Sequence, residues 1–197
     1  MPIPKLFQQN TFVVNQKAGL FKMANQYQLQ DEQQNDIGFV QEVVPGWAKF
    51  ARFFLNKQLL PFELSIMDEN QNLLAKIKRG FTLAMPKVQV FDANEKLIGT
   101  FRGKFKLLGV KFEIQDEEGN IVGEINGNWK GWDFTITDQN GNQIGTVNKK
   151  WAGAMKEIFT TADRYKVEIN PSVAEDENKI LMVAVAISID MILKNGK

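Results

Sequence analysis

The chain has 197 residues, 44% of them hydrophobic, and 24 Lys plus Arg against 23 Asp plus Glu leave a net charge of +1. That length suits one domain with a full core or two small ones, and the balance of charge argues against broad electrostatic capture of nucleic acid. With no His and no Cys, a serine–histidine triad, a cysteine nucleophile, a thiolate or imidazole zinc site, a disulfide and an S-palmitoyl anchor are all excluded.

Residues 1–10 lack a basic stretch followed by an apolar run, so no signal peptide is read there. They are expected to form an N-terminal tail, and the cytoplasm is the default compartment. The sequence Thr-Phe-Val-Val-Asn-Gln over residues 11–16 supplies a first strand.

From there the chain repeats itself around five aspartates: Asp31, Asp68, Asp92, Asp116 and Asp138. Four and two residues before each stands an apolar pair, Tyr27/Leu29, Leu64/Ile66, Val88/Val90, Phe112/Ile114 and Phe134/Ile136. Such alternation is a strand with one buried face. Six residues after each aspartate comes Ile37, Leu74, Ile98, Val122 or Ile144, and nine after comes Val40, Ile77, Phe101, Ile125 or Val147. Offsets of six and nine cannot share one face of a regular strand. A β-bulge at the small residue between them (Gly38, Ala75, Gly99, Gly123 or Gly145) reconciles the two.

Each copy therefore reads as a hairpin whose aspartate accepts backbone N–H bonds in the turn. Thirteen residues after the last four aspartates lies an aromatic: Phe81, Phe105, Trp129 or Trp151. Asp116-Glu-Glu-Gly-Asn120 and Asp138-Gln-Asn-Gly-Asn142 superficially resemble calcium loops, but their glycine is fourth rather than sixth, and a plain hairpin turn is favoured.

Between the first two copies, residues 45–57 combine Trp47, Phe50 and Phe54 on one helical face with Lys49 and Arg52 elsewhere. That pattern suits a membrane interface, the alternative being a helix packed over a barrel mouth. Basic residues recur in the next copies as Lys76, Lys78 and Arg79, then Arg102, Lys104, Lys106 and Lys111. Alternation turns Arg102, Lys104 and Lys106 outward, where anionic lipid headgroups can bind. The competing reading is a charged surface that keeps strands soluble.

Residues 165–169 add a strand after the repeats, for a total of about twelve. An open sheet of that size exposes its edges, so closure is expected. The 14 residues 180–193 form an apolar helix that includes Ser188 and Asp190. That is short of the roughly 20 needed to span a bilayer. The fold expected is a mainly β, closed antiparallel barrel of about twelve strands around a central apolar C-terminal helix, in one domain over residues 11–197. Membrane anchoring by the helix is the alternative. Asp190 is expected to bond backbone near the helix end.

Trp151-Ala-Gly-Ala-Met-Lys-Glu-Ile-Phe-Thr-Thr-Ala-Asp163, the following Tyr165-Lys-Val-Glu-Ile-Asn-Pro171 and the Ile189-Asp190 pair near the helix end resemble the phospholipid scramblase family, within the tubby-like, LURP-one-related barrels. The resemblance implies calcium-triggered, ATP-independent movement of phospholipid between leaflets; separately, no Asp or Glu stands in a recognisable catalytic pair, so no enzyme is expected. It also implies a peripheral position at the inner face of the plasma membrane and anionic phospholipid as partner. A soluble tubby-like module that binds protein or phosphoinositide is the alternative, and nucleic acid is disfavoured. The family's calcium segment aligns with residues 161–173, where Thr161 replaces a carboxylate and Arg164 adds a positive charge, so Asp163 and Glu168 are the remaining metal candidates.

Overall fold

The computed structural model describes residues 3–17, 26–44, 60–81, 85–104, 110–128, 132–149, 164–173 and 175–194. Twelve strands run in chain order: β1 (Thr11–Lys17), β2 (Gln26–Gln30), β3 (Asp36–Val43), β4 (Phe62–Asp68), β5 (Leu73–Arg79) and β6 (Lys87–Asp92). The second half comprises β7 (Leu97–Lys104), β8 (Val110–Gln115), β9 (Ile121–Asn128), β10 (Asp133–Asp138), β11 (Gln143–Asn148) and β12 (Arg164–Ile169). Each pairs antiparallel with its sequence neighbours, and β1 pairs with β12 in a register that sets Val14 opposite Tyr165. The sheet is a closed barrel of twelve strands, so no edge remains to be covered.

The five aspartates build five turns of one kind. In each, the N–H three residues on bonds to the aspartate carbonyl, as Gln34 to Asp31 and Gly141 to Asp138, both at 3.1 Å. The carboxylate then closes the loop; Asp138 accepts from the N–H groups of Asn140 and Asn142 at 2.8 Å and from the Asn142 side-chain amide. The residue three past the aspartate is left-handed every time: Gln34, Gln71, Glu95, Gly119 and Gly141. This is a three-residue hairpin loop ending in a left-handed position, and only two of the five copies use the glycine that suits it.

The bulges fall one residue earlier than the small residue at which they were expected. On β3 the register steps from Leu29↔Gly38 to Gln30↔Asp36, leaving Ile37 as the extra residue, and β5, β7, β9 and β11 step in the same way past Leu74, Ile98, Val122 and Ile144. The kink turns Ile37 and Ile98 into the core with Val40 and Phe101; Val122 stays 38% exposed. The small residue that follows must leave room. A Cβ on Gly99 would lie 2.7 Å from Leu181, and one on Gly145 would meet Met182 and the Glu168 carbonyl.

Leu181 and Met182 belong to the one α-helix among the described residues, α1 (Asp176–Lys194), which threads the barrel. Val183, Ala184, Ala186 and Ile187 have no exposed surface, and they pack in one cluster with inward residues of every strand. A helix apolar on all sides needs such an enclosure. The barrel in turn needs a filling, because twelve strands enclose more space than their own side chains occupy.

α1 enters at the end where the aspartate turns lie. Acidic Asp176 and Glu177 occupy its first turn, where the helix dipole favours them. There Leu6, in a 3-10 turn (Lys5–Gln8), is fully buried, and the Lys179 ammonium donates to the Phe7 carbonyl. Burial lowers the pKa of Lys179, with Asp176 acting in the opposite direction. At the far end of the barrel Asp190 reaches Tyr27 and Tyr165, the second residues of β2 and β12.

Candidate functional site

Strand parity decides which basic residues face outward. On β5 Ala75, Ile77 and Arg79 share the buried face, leaving Lys76 and Lys78 on the outer one. Both ammonium groups grip Glu95, the left-handed residue of the third turn; the Lys78 contact is 2.8 Å. Hydrogen bonds from the two lysines hold the Glu95 carboxyl down at about 2.

Arg79 is a correction to the headgroup set. It is 4% exposed, its Nη2 donates to the Leu60 carbonyl at 2.7 Å, and its guanidinium lies 4.7 Å from the Phe62 ring centroid. Burial lowers its pKa to about 10, with Glu42 pulling the other way. Counting by twos from Ala75 would have found it.

Arg102 and Lys104 are exposed on β7, as expected from alternation. Lys104 pairs with Glu113 at 3.0 Å, and Lys111, directly opposite Lys104 on β8, pairs with Glu124 at 2.5 Å. Arg102 sits between Lys87 on β6 and Glu113 on β8, so the like-charged Lys87–Arg102 pair, unfavourable by itself, has a carboxylate on its β8 side. Lys106 lies outside the described residues, as do all five candidates of the 45–57 segment (Trp47, Lys49, Phe50, Arg52 and Phe54) and the aromatics Phe105, Trp129 and Trp151. Phe81 is 64% exposed just past β5.

Of the metal candidates, Asp163 lies outside the described residues. Glu168 accepts from the Lys166 ammonium at 2.6 Å and from the Thr146 hydroxyl at 3.3 Å. No group of three or more acidic side chains stands close enough to hold a metal ion among the described residues.

Asp190, expected to bond backbone, takes the hydroxyls of two tyrosines, with Tyr27 at 2.8 Å. Around Tyr165, the Trp132 ring stacks at 4.7 Å between centroids, and the Lys149 ammonium lies 4.6 Å from the Trp132 centroid and 5.2 Å from that of Tyr165. No local pattern announces these contacts, because Tyr27 and Asp190 are 163 residues apart in the chain.

The fold is that of a closed barrel wrapped on its own C-terminal helix. It is similar to the X-ray structure of an Arabidopsis thaliana protein, with a TM-score of 0.56, 13% identity, and 95% of this chain and 96% of that one covered. At that identity the likeness is one of fold. The family model for Scramblase matches residues 3–193, nearly the whole length, and the chain belongs to the Scramblase family. A comparison with curated proteins finds no match. Among the described residues no helix is long and apolar enough to cross a membrane.

Proposed function

We propose that the protein acts at the surface of a membrane, binding phospholipid headgroups and moving lipid between leaflets without ATP, as one folded unit and without enzyme chemistry. The observation that carries the lipid reading is membership of the Scramblase family over residues 3–193. Its expected place is peripheral, at the cytoplasmic face of the plasma membrane.

The enclosure of α1 limits how lipid can be moved. Val183, Val185, Ile187 and Ile189 are each at most 1% exposed. A bilayer would take them up, but the inward strand residues of the same cluster, Leu64, Ile66, Val88 and Val90 among them and none with exposed surface, would be left facing water at about 1.5–3 kcal/mol apiece, a sum comparable to the whole stability of a typical domain, roughly 5–15 kcal/mol. Extracting the helix to span a bilayer would thus unfold the barrel. Perturbation of the bilayer from outside, by headgroup contacts on the barrel surface, is the cheaper route. Calcium, if it acts, must find ligands beyond Asp163 and Glu168, because two carboxylates fall short of the six to eight oxygens it takes.

Purified protein in vesicles carrying a fluorescent lipid in both leaflets tests the proposal. Probe that starts in the inner leaflet should become accessible to an added membrane-impermeant quencher, with and without calcium compared side by side. No acceleration over empty vesicles would remove transport.

A soluble interaction module is the second reading. It is favoured by the pairing of Lys76 and Lys78 with Glu95, Lys104 with Glu113 and Lys111 with Glu124, which leaves much of the outer wall balanced in charge. It predicts protein in the soluble fraction and no binding to vesicles whose anionic lipid is phosphatidylserine.

A further inference from the structure

The net charge of +1 conceals two opposite poles. The five turn segments 31–36, 68–72, 92–96, 116–120 and 138–142 and the start of the helix, 175–179, lie at one end of the barrel and together hold 14 carboxylate residues against two lysines. At the other end the described residues of the stretches 16–26, 44–61, 79–87, 102–111, 128–133 and 148–165 hold eight basic residues, the buried Arg79 among them, against one acidic residue, Asp133.

The seven or eight residues of β4 or β7, tilted as barrel strands are, separate the poles by about 20 Å. That is more than twice the Debye length of roughly 8 Å at physiological salt. An approaching surface therefore meets one pole at a time, and the overall balance of charge does not describe what it feels.

Among described residues the basic end presents Lys87 and Arg102 side by side, with Glu113 across from Arg102 on its other flank, and Lys104 and Lys111 as the next facing pair, each bound to a glutamate. Phe81 and Val43 are exposed at the same end, 64% and 50%. Basic side chains interleaved with exposed aromatic and aliphatic ones match an anionic bilayer, whose headgroups take the charge while the interface takes the rings.

We propose that the barrel docks end-on, its basic pole seated on an anionic phospholipid leaflet and its aspartate turns directed away from it. This rests on the lipid reading above and goes further, because it moves the contact from the barrel wall around Lys76 and Lys78 to one end. Lys87 and Arg102 are its centre.

The test is sedimentation with phosphatidylserine-containing vesicles, with phosphatidylcholine vesicles and a short DNA duplex as further arms, at two salt concentrations. Wild-type protein is compared with Lys87→Glu/Arg102→Glu at one pole and Glu117→Lys/Glu118→Lys at the other, each checked by circular dichroism. Expected are salt-sensitive binding to the anionic vesicles alone, a loss of roughly tenfold or more in the Lys87/Arg102 variant, and undiminished binding in the Glu117/Glu118 variant. Two well-folded variants that bind anionic vesicles as wild type does would overturn end-on docking and leave the lipid reading standing. Wild-type protein that ignores anionic vesicles would remove both, and capture of the duplex in their place would assign the pole to nucleic acid.

Discussion

The carboxylate of Asp190, four residues before the end of α1, accepts hydrogen bonds from Tyr27 on β2 and Tyr165 on β12, and all three residues are at most 1% exposed. The two strands flank β1, so the helix is tied across the seam where the barrel closes. Tyr27→Phe or Tyr165→Phe removes one hydroxyl and leaves a buried acceptor short of a partner. Each is expected to cost about 1.5–3 kcal/mol, read as a lower urea midpoint with an unchanged slope. Their effects should not add, because both hydroxyls serve one carboxylate.

Ser188 makes the opposite case half a turn away. Its hydroxyl is buried with no hydrogen-bond partner among the described residues. Ser188→Ala removes an unsatisfied group from an apolar setting and is expected to be neutral or to stabilise by about 1 kcal/mol, measured in the same urea titration.

The second turn separates backbone strain from side-chain closure. Gln71 holds φ at 67°, a region that suits glycine, and Gln71→Gly should stabilise by roughly 1 kcal/mol. Asp68→Ala in the same turn removes the acceptor used by the N–H groups of Asn70 and Asn72, both at 2.8 Å. It is expected to destabilise by about 2 kcal/mol. Thermal melts of the two variants should move in opposite directions.

Acid stability follows from the carboxylates held below their ordinary values. Side-chain bonds from Asn120 and Asn142, aided by backbone N–H groups, lower Asp116 and Asp138, and the lysine pair lowers Glu95 from 4.5 to about 2. A carboxyl with a depressed folded pKa contributes stability that is complete above its unfolded value and lost as pH falls through the folded one. The barrel should therefore lose stability on acidification from about pH 4.5 toward pH 2. Glu95→Gln should flatten that limb in urea titrations repeated across the range.

Much of the barrel could be read from the sequence because its signals are local and repeated. Apolar residues four and two before each aspartate fix strand parity, and the conflict between offsets six and nine forces a bulge. Its placement slipped by one residue because Ile37 and its counterparts, rather than the glycines, are the ones left without a partner. The candidate site was harder. Arg79 follows Lys76 and Lys78 in the sequence and shares their charge, yet alternation from Ile77 puts it inside. The Asp190–tyrosine tie and the two poles of charge depend on which strand ends meet, and that is known only once the sheet closes.

Hydrogen–deuterium exchange of α1, with and without phosphatidylserine vesicles, tests most directly that the barrel works with its helix in place. Amides of residues 183–190 should exchange only through global unfolding, and vesicles that bind the protein should leave their protection unchanged. Loss of protection in that stretch on membrane binding would mean that the helix leaves the barrel, and the account of surface action would be wrong.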